Sequence, residues 1–115
     1  MPVFRILAGQ ARPDTQDRIA DLFREQAARV GRAEGLLFVQ TLRSGDRVLG
    51  VSCWRGTAQM QHYLDQEETQ EFYRRLPPLL MGMPSVRTYE VIASHEGVDG
   101  AGDPAAAPWI SAGQR

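Results

Sequence analysis

Two neighbouring stretches of the chain, residues 36–42 and 47–54, are apolar at successive positions rather than at every second one. Adjacent side chains of a strand point to opposite faces of its sheet. Regular alternation would put Leu36 and Phe38 on one face and Leu37 and Val39 on the other. It would likewise put Leu49, Val51 and Cys53 on one face and Val48 and Trp54 on the other. An antiparallel sheet with one wet face shows polar residues there. This sheet needs cover on both faces. Ser44-Gly45-Asp46 separates the two runs with turn chemistry, so they form a hairpin.

The rest of the chain supplies cover for one face. Val3–Ala8 reads as a first strand. Pro13-Asp14 then opens a helix, with Asp14 the expected N-cap and Asp17 in the first turn. Ile19, Leu22, Phe23, Ala27 and Val30 recur at helical spacing, and Gly31 and Gly35 bracket the end. A second helix starts at Thr57 and carries Met60, Tyr63, Leu64, Phe72 and Leu76. Its centre, Asp65–Gln70, is polar all round and predicts a break, and Pro77-Pro78 stops it. An apolar loop, residues 79–84, precedes a last strand over Val86–Ser94. The order βαββαβ is the split βαβ arrangement of an α+β, ferredoxin-like fold: one four-stranded antiparallel sheet with both helices on one face. The second face is then expected to meet the same face of another copy, closing a dimeric α/β barrel.

With 115 residues the chain fits one domain, read here as residues 1–96, followed by a Gly/Ala/Pro-rich tail, 97–115. Trp109 and Ile110 are the large apolar residues of that tail, and are expected to anchor it on a folded surface. The formal net charge of −1 gives no electrostatic footprint for nucleic acid. All 13 cationic residues are Arg, so Schiff-base chemistry, which needs a Lys amine, is excluded. The single cysteine, Cys53, cannot form an intrachain disulfide and fits a reducing compartment. No run approaches the ~18 apolar residues of a membrane span, and nothing reads as a secretory signal. The expectation is a cytoplasmic protein without membrane or nucleic-acid partners.

Familiar catalytic motifs are missing. His62 and His95 lie on different elements and Cys53 has no cysteine partner, so no metal-ligand spacing exists. Gly100-Ala101-Gly102 lacks the strand–helix context of a dinucleotide loop, and no serine has a Gly-x-Ser-x-Gly setting.

On the strand end Val51-Ser52-Cys53-Trp54, the helix segments His62-Tyr63-Leu64 and Glu71-Phe72-Tyr73, the stretch Pro77-Pro78-Leu79-Leu80 and the strand Val86–Val91, the chain resembles the antibiotic-biosynthesis monooxygenase domain family of the dimeric α/β-barrel superfamily. The resemblance covers about residues 3–94. It implies a homodimer and two chemistries. One subgroup oxidises polycyclic phenols to quinones with O2 and no cofactor. The other binds and breaks haem through an Asn, a Trp and a ligating His. This chain departs from the haem pattern: it has no Asn, Tyr63 stands at the Trp position and Tyr73 at the His position. Gln10 is the nearest substitute for the polar group that the missing Asn removes.

Each candidate residue carries a plain and a functional reading. Trp54 is core, or a pocket wall that stacks an aromatic ligand. His62 is a solvated surface histidine, or a general base able to ionise a phenol. Tyr63 and Tyr73 are core or rim residues whose hydroxyls need partners. Arg74 belongs to a solvated face or holds an anionic substrate. Leu80 and Met83 pack in the core or form an apolar lip at a ligand site. Three functions are compatible with these residues: a cofactor-free monooxygenase acting on an electron-rich phenolic or polycyclic aromatic, a non-catalytic dimeric small-ligand-binding or stress-response protein, and a haem binder with weak turnover. No cofactor is expected in the first two.

Overall fold

The computed structural model describes residues 1–97. The expected tail and its anchor, Trp109 and Ile110, lie outside the described residues. The elements run β1 (Val3–Gln10), α1 (Gln16–Val30), β2 (Leu36–Ser44), β3 (Arg47–Trp54), α2 (Thr57–Leu64), α3 (Glu67–Arg75), a 3₁₀ turn (Pro77–Leu79) and β4 (Ser85–Glu90). The sheet order is β2-β3-β1-β4, with every neighbouring pair antiparallel. This is the ferredoxin-like βαββαβ topology that the element order predicts.

Local chemistry explains the boundaries. The second helical region breaks where expected: Asp65 is still helical, but Gln66 is extended at φ −72°, ψ 145°. Glu67 and Glu68 then open α3 and Arg74 and Arg75 close it, each charge favourable at its end of the helix. Asp14 is not the N-cap. That position belongs to Thr15, and its hydroxyl does not cap either. It donates instead to the Leu79 carbonyl at 2.7 Å, tying the start of α1 to the 3₁₀ turn. The last strand also ends earlier than expected, at Glu90 rather than Ser94.

Strict alternation fails at one place on β2. Leu36 pairs with Trp54 and Phe38 with Cys53, so a bulge between them absorbs Leu37. One extra residue on one strand reverses the parity of the residues after it. Leu36 and Val39 therefore share the helix side, Phe38 lies on the opposite face, and Leu37 is left exposed.

Two clusters fill the space between sheet and helices. Leu7, Ile19, Leu22, Phe23, Val48, Phe72, Leu76 and Leu80 form one. Val3, Val30, Trp54, Met60 and Tyr63 form the other. Each fully buried large side chain contributes roughly 1.5–3 kcal/mol relative to exposure. The Phe23 ring packs directly over Gly50, where a Cβ would stand at van der Waals contact, 3.4 Å from it.

Among the described residues, no helix covers the other face of the sheet. By register it carries Phe4, Ile6 and Ala8 of β1, Leu49, Val51 and Cys53 of β3, Phe38 and Leu42 of β2, and Tyr89 of β4. Phe4 and Phe38 meet above Cys53, the residue paired with both, with ring centroids 5.8 Å apart. They bury the thiol, and burial pushes its pKa up.

Candidate functional site

A cavity of about 40 Å³ lies between the helix-side face of the sheet and helices α1, α2 and α3. Most of its wall is apolar, including Leu7, Phe23, Val30, Val39 and Phe72. Two tyrosines bring hydroxyls into it. Tyr73, from α3, accepts a hydrogen bond from Arg5 Nη2 of β1 at 2.7 Å. Tyr63, from α2, accepts one from Gln26 Nε2 of α1. Behind Gln26 stands Arg29, which donates to Gln26 Oε1 at 3.0 Å and to Thr69 Oγ1 at 2.9 Å. Its guanidinium carbon lies 5.8 Å from the centre of the Tyr63 ring, within cation–π range.

The fold places these groups by helix and strand periodicity. Gln26 and Arg29 are three residues apart on α1 and so share a face. Arg5 lies between Val3 and Leu7 in the inward set of β1. Every buried polar side-chain atom among the described residues has a partner. Burial is the main reason the Tyr63 pKa is raised; the bond from Gln26 opposes it. Tyr63 therefore keeps its proton at neutral pH.

The structure sorts the residues singled out in the sequence. Tyr63 and Tyr73 line the cavity. Trp54 is adjacent but does not line it: it is fully buried, stacked on Tyr63 and donates its indole N–H to Ser52 Oγ at 2.9 Å. The reading of Trp54 as a pocket wall is thus corrected, because Tyr63 stands in front of it. His62 is also corrected as a pocket base. It is next to Tyr63 on α2 but is not part of the cavity wall; it is exposed in an outer groove that it shares with Arg29, Arg32, Gln59 and Tyr63 itself.

Four further candidates serve structure or solvent. Gln10 is exposed and donates to Asp46 Oδ2 at 2.8 Å, securing the β2–β3 turn. Arg74 is spent on Glu67 and Glu71, both at 2.8 Å, on the outer face of α3. Leu80 is core, packed against Gly9, where an added Cβ would meet it at 2.9 Å. Met83 is 86% exposed and does not line the cavity. Arg5, Gln26 and Arg29 were missed. Arg5 had a signal: it is a charge at an inward parity position of an otherwise apolar strand.

Among the described residues, no three His, Cys, Asp or Glu side chains gather as a metal site, and no helix is long and apolar enough to cross a membrane.

No protein-family model and no curated protein matches the chain in sequence. Solved structures do match in fold. Rv0793 from Mycobacterium tuberculosis superposes with a TM-score of 0.77 at 14% identity, over 82% of this chain and 98% of its own. A variant of SnoaB, described as a cofactor-independent oxygenase from Streptomyces nogalater, gives 0.72 at 14% identity, over 81% and 95%. A structure named antibiotic biosynthesis monooxygenase gives 0.71 at 12% identity, over 79% and 99%. The chain is therefore built on the same fold as solved structures that carry the name antibiotic biosynthesis monooxygenase.

Proposed function

We propose that this chain is a cofactor-independent monooxygenase that oxidises a phenolic or polycyclic aromatic small molecule with O2, and that it works as a homodimer. The observation that supports it most is the pairing of Tyr63 and Tyr73, each holding a hydrogen bond from a fixed donor, in one apolar-walled cavity. The fold shared with an oxygenase that is described as cofactor-independent points the same way.

The chemistry asks little of the protein. Ground-state O2 is a triplet and reacts slowly with a closed-shell molecule in one two-electron step. A phenolate can give up one electron and then recombine with the reduced oxygen. The site must hold the ring, favour its ionised form and keep water from the intermediates. Arg5 supplies a nearby positive charge, Tyr63 and Tyr73 supply hydroxyls, and Phe23, Val39 and Phe72 supply dry walls. The dimer would cover the open face of the sheet, where no helix among the described residues lies above Phe4, Ile6, Phe38, Leu42 and Tyr89. The test is O2 uptake by metal-free protein with a panel of anthrone- and hydroquinone-type substrates. Uptake that falls in Tyr73→Phe is expected; none across the panel rejects the reading.

One observation favours a second reading, a non-catalytic dimeric protein of the same fold that takes at most a ligand group of a few atoms. A cavity of about 40 Å³ has room for about three waters, whereas ligand pockets usually measure ~300–1,000 Å³. Ligand binding without oxygen consumption would establish it.

A further inference from the structure

Arg5 stands on a strand face where charge is costly. Its inward neighbours Val3 and Leu7 are 5% and 6% exposed. A cation in such a place is ordinarily matched by a carboxylate. Here the side-chain partner is the neutral Tyr73 hydroxyl, at 2.7 Å, with the guanidinium carbon 5.8 Å from the ring centre. No carboxylate among the described residues comes within ion-pair distance of Arg5. Arg24, Arg29, Arg74 and Arg75 have one, and the other described arginines that lack one, unlike Arg5, are exposed.

Its position in the sheet is equally particular. On the β3 side Arg5 pairs with Ser52, which is buried; on the β4 side it pairs with Thr88, which is exposed. Every residue of β4 is exposed, including Val86 on the helix side opposite Leu7. Arg5 therefore marks the boundary between the covered part of the sheet and an open shelf made by Val86 and Thr88. Glu90 is the carboxylate on this face of β4, and it lies opposite Val3 rather than Arg5.

The cavity beside Arg5 contains no His, Asp or Glu among its lining residues. Nothing described there can take a proton from a bound phenol at neutral pH. Tyr73, whose oxygen accepts from Arg5, keeps its own O–H free to donate. A guanidinium and a hydroxyl proton aimed into one small space suit an oxyanion.

We propose that this site takes planar aromatic or enolic molecules that arrive already ionised, with Arg5 as their counter-ion and Tyr73 as a second donor to the same oxyanion. The charged head group enters the cavity, which is large enough for it, and the ring lies on the Val86–Thr88 shelf. In the oxygenase reading, on which only this sentence rests, the substrates are acidic phenols and enols that need no base from the protein.

The test is binding to the full chain at pH 7, measured by calorimetry under nitrogen. The probes are 1-hydroxy-2-naphthoate, an anion at that pH, and 1-naphthol, which is neutral. The naphthoate is expected to bind about tenfold tighter or more. Arg5→Gln should abolish the preference, and Arg5→Lys should keep part of it. Thr88→Glu, at an exposed position that tolerates substitution, places a carboxylate opposite Arg5 and should also abolish it. Equal binding of both probes to the wild-type protein, or a preference that survives Thr88→Glu, overturns the proposal. Oxygen uptake is a separate readout. An intact preference without uptake removes the oxygenase reading alone, and uptake of neutral phenols without any preference removes the anion site alone.

Discussion

Trp54 and Tyr63 stack with ring centroids 5.0 Å apart and planes inclined by 26°, joining the end of β3 to the last turn of α2. Tyr63 thereby faces the cavity with its back against a fully buried indole, and its hydroxyl is held by Gln26. The stack fixes where that hydroxyl points. Trp54→Ala removes both the packing and the support, and should cost ~3–5 kcal/mol in urea unfolding. Trp54→Phe should cost much less while leaving Tyr63 in place. Equal losses in the two variants would show that the stack has no special role.

Substitution of His62 is expected to change nothing that matters. It is exposed and does not line the cavity. His62→Ala should keep its unfolding free energy within ~0.5 kcal/mol of the parent, as is usual for surface positions. Substrate-dependent O2 uptake should be unchanged at every pH between 6 and 8. A loss of uptake would reinstate His62 as a base.

Tyr63 links stability to alkaline pH. Burial raises its pKa above the ordinary value of 10.0. The native state then holds its proton where the unfolded chain has lost it. The contribution is fully present below pH ~10 and is lost as pH rises toward and through the folded pKa. Melting temperature should therefore fall more steeply above pH 10 in the parent than in Tyr63→Phe. Parallel curves would contradict the assignment.

The thiol of Cys53 should resist reagents in the folded protein. It is buried beneath Phe4 and Phe38 and its pKa is pushed up, so little thiolate exists at pH 8. Labelling with a maleimide is expected to be slow natively and fast in 6 M guanidinium. Phe4→Ala should accelerate the native reaction several-fold.

The open sheet face predicts self-association. Light scattering at micromolar concentration should return twice the monomer mass. Ile6→Asp, which puts a charge at the centre of that face, should return the monomer. A monomeric parent protein would remove the dimer from the proposal.

The fold was readable because it rests on period and punctuation. Doubly apolar strands, the turn at Ser44-Gly45-Asp46 and the polar break at Asp65-Gln66 are local signals, and each has its physical counterpart in the structure. The bulge at Leu37 was not readable, since one inserted residue leaves no mark in composition while reversing parity. The site was only half visible. Tyr63 and Tyr73 stand out as aromatic residues with hydroxyls to satisfy. Their partners Gln26 and Arg5 lie 37 and 68 positions away, and nothing local announces such pairings. His62 looked chemical by residue type, but its direction is set by which side of α2 carries Met60 and Tyr63.

One end of the sheet is fastened by bonds between distant segments. The Ala11 amide donates to Asp46 at 2.7 Å, Arg12 to Leu79 at 3.1 Å and Met81 to Gln10 at 2.8 Å. The Thr15 hydroxyl adds its bond to Leu79. These partners are far apart in sequence, so the loops they close carry a large entropy cost before the contacts reward it. The clasp is therefore expected to form late, after β1 has paired with β3. Once formed, it cannot open piecemeal without stripping Leu79 and Leu80 from the core. Amide protons of Ala11 and Met81 should then exchange with solvent deuterium only as fast as the whole domain unfolds.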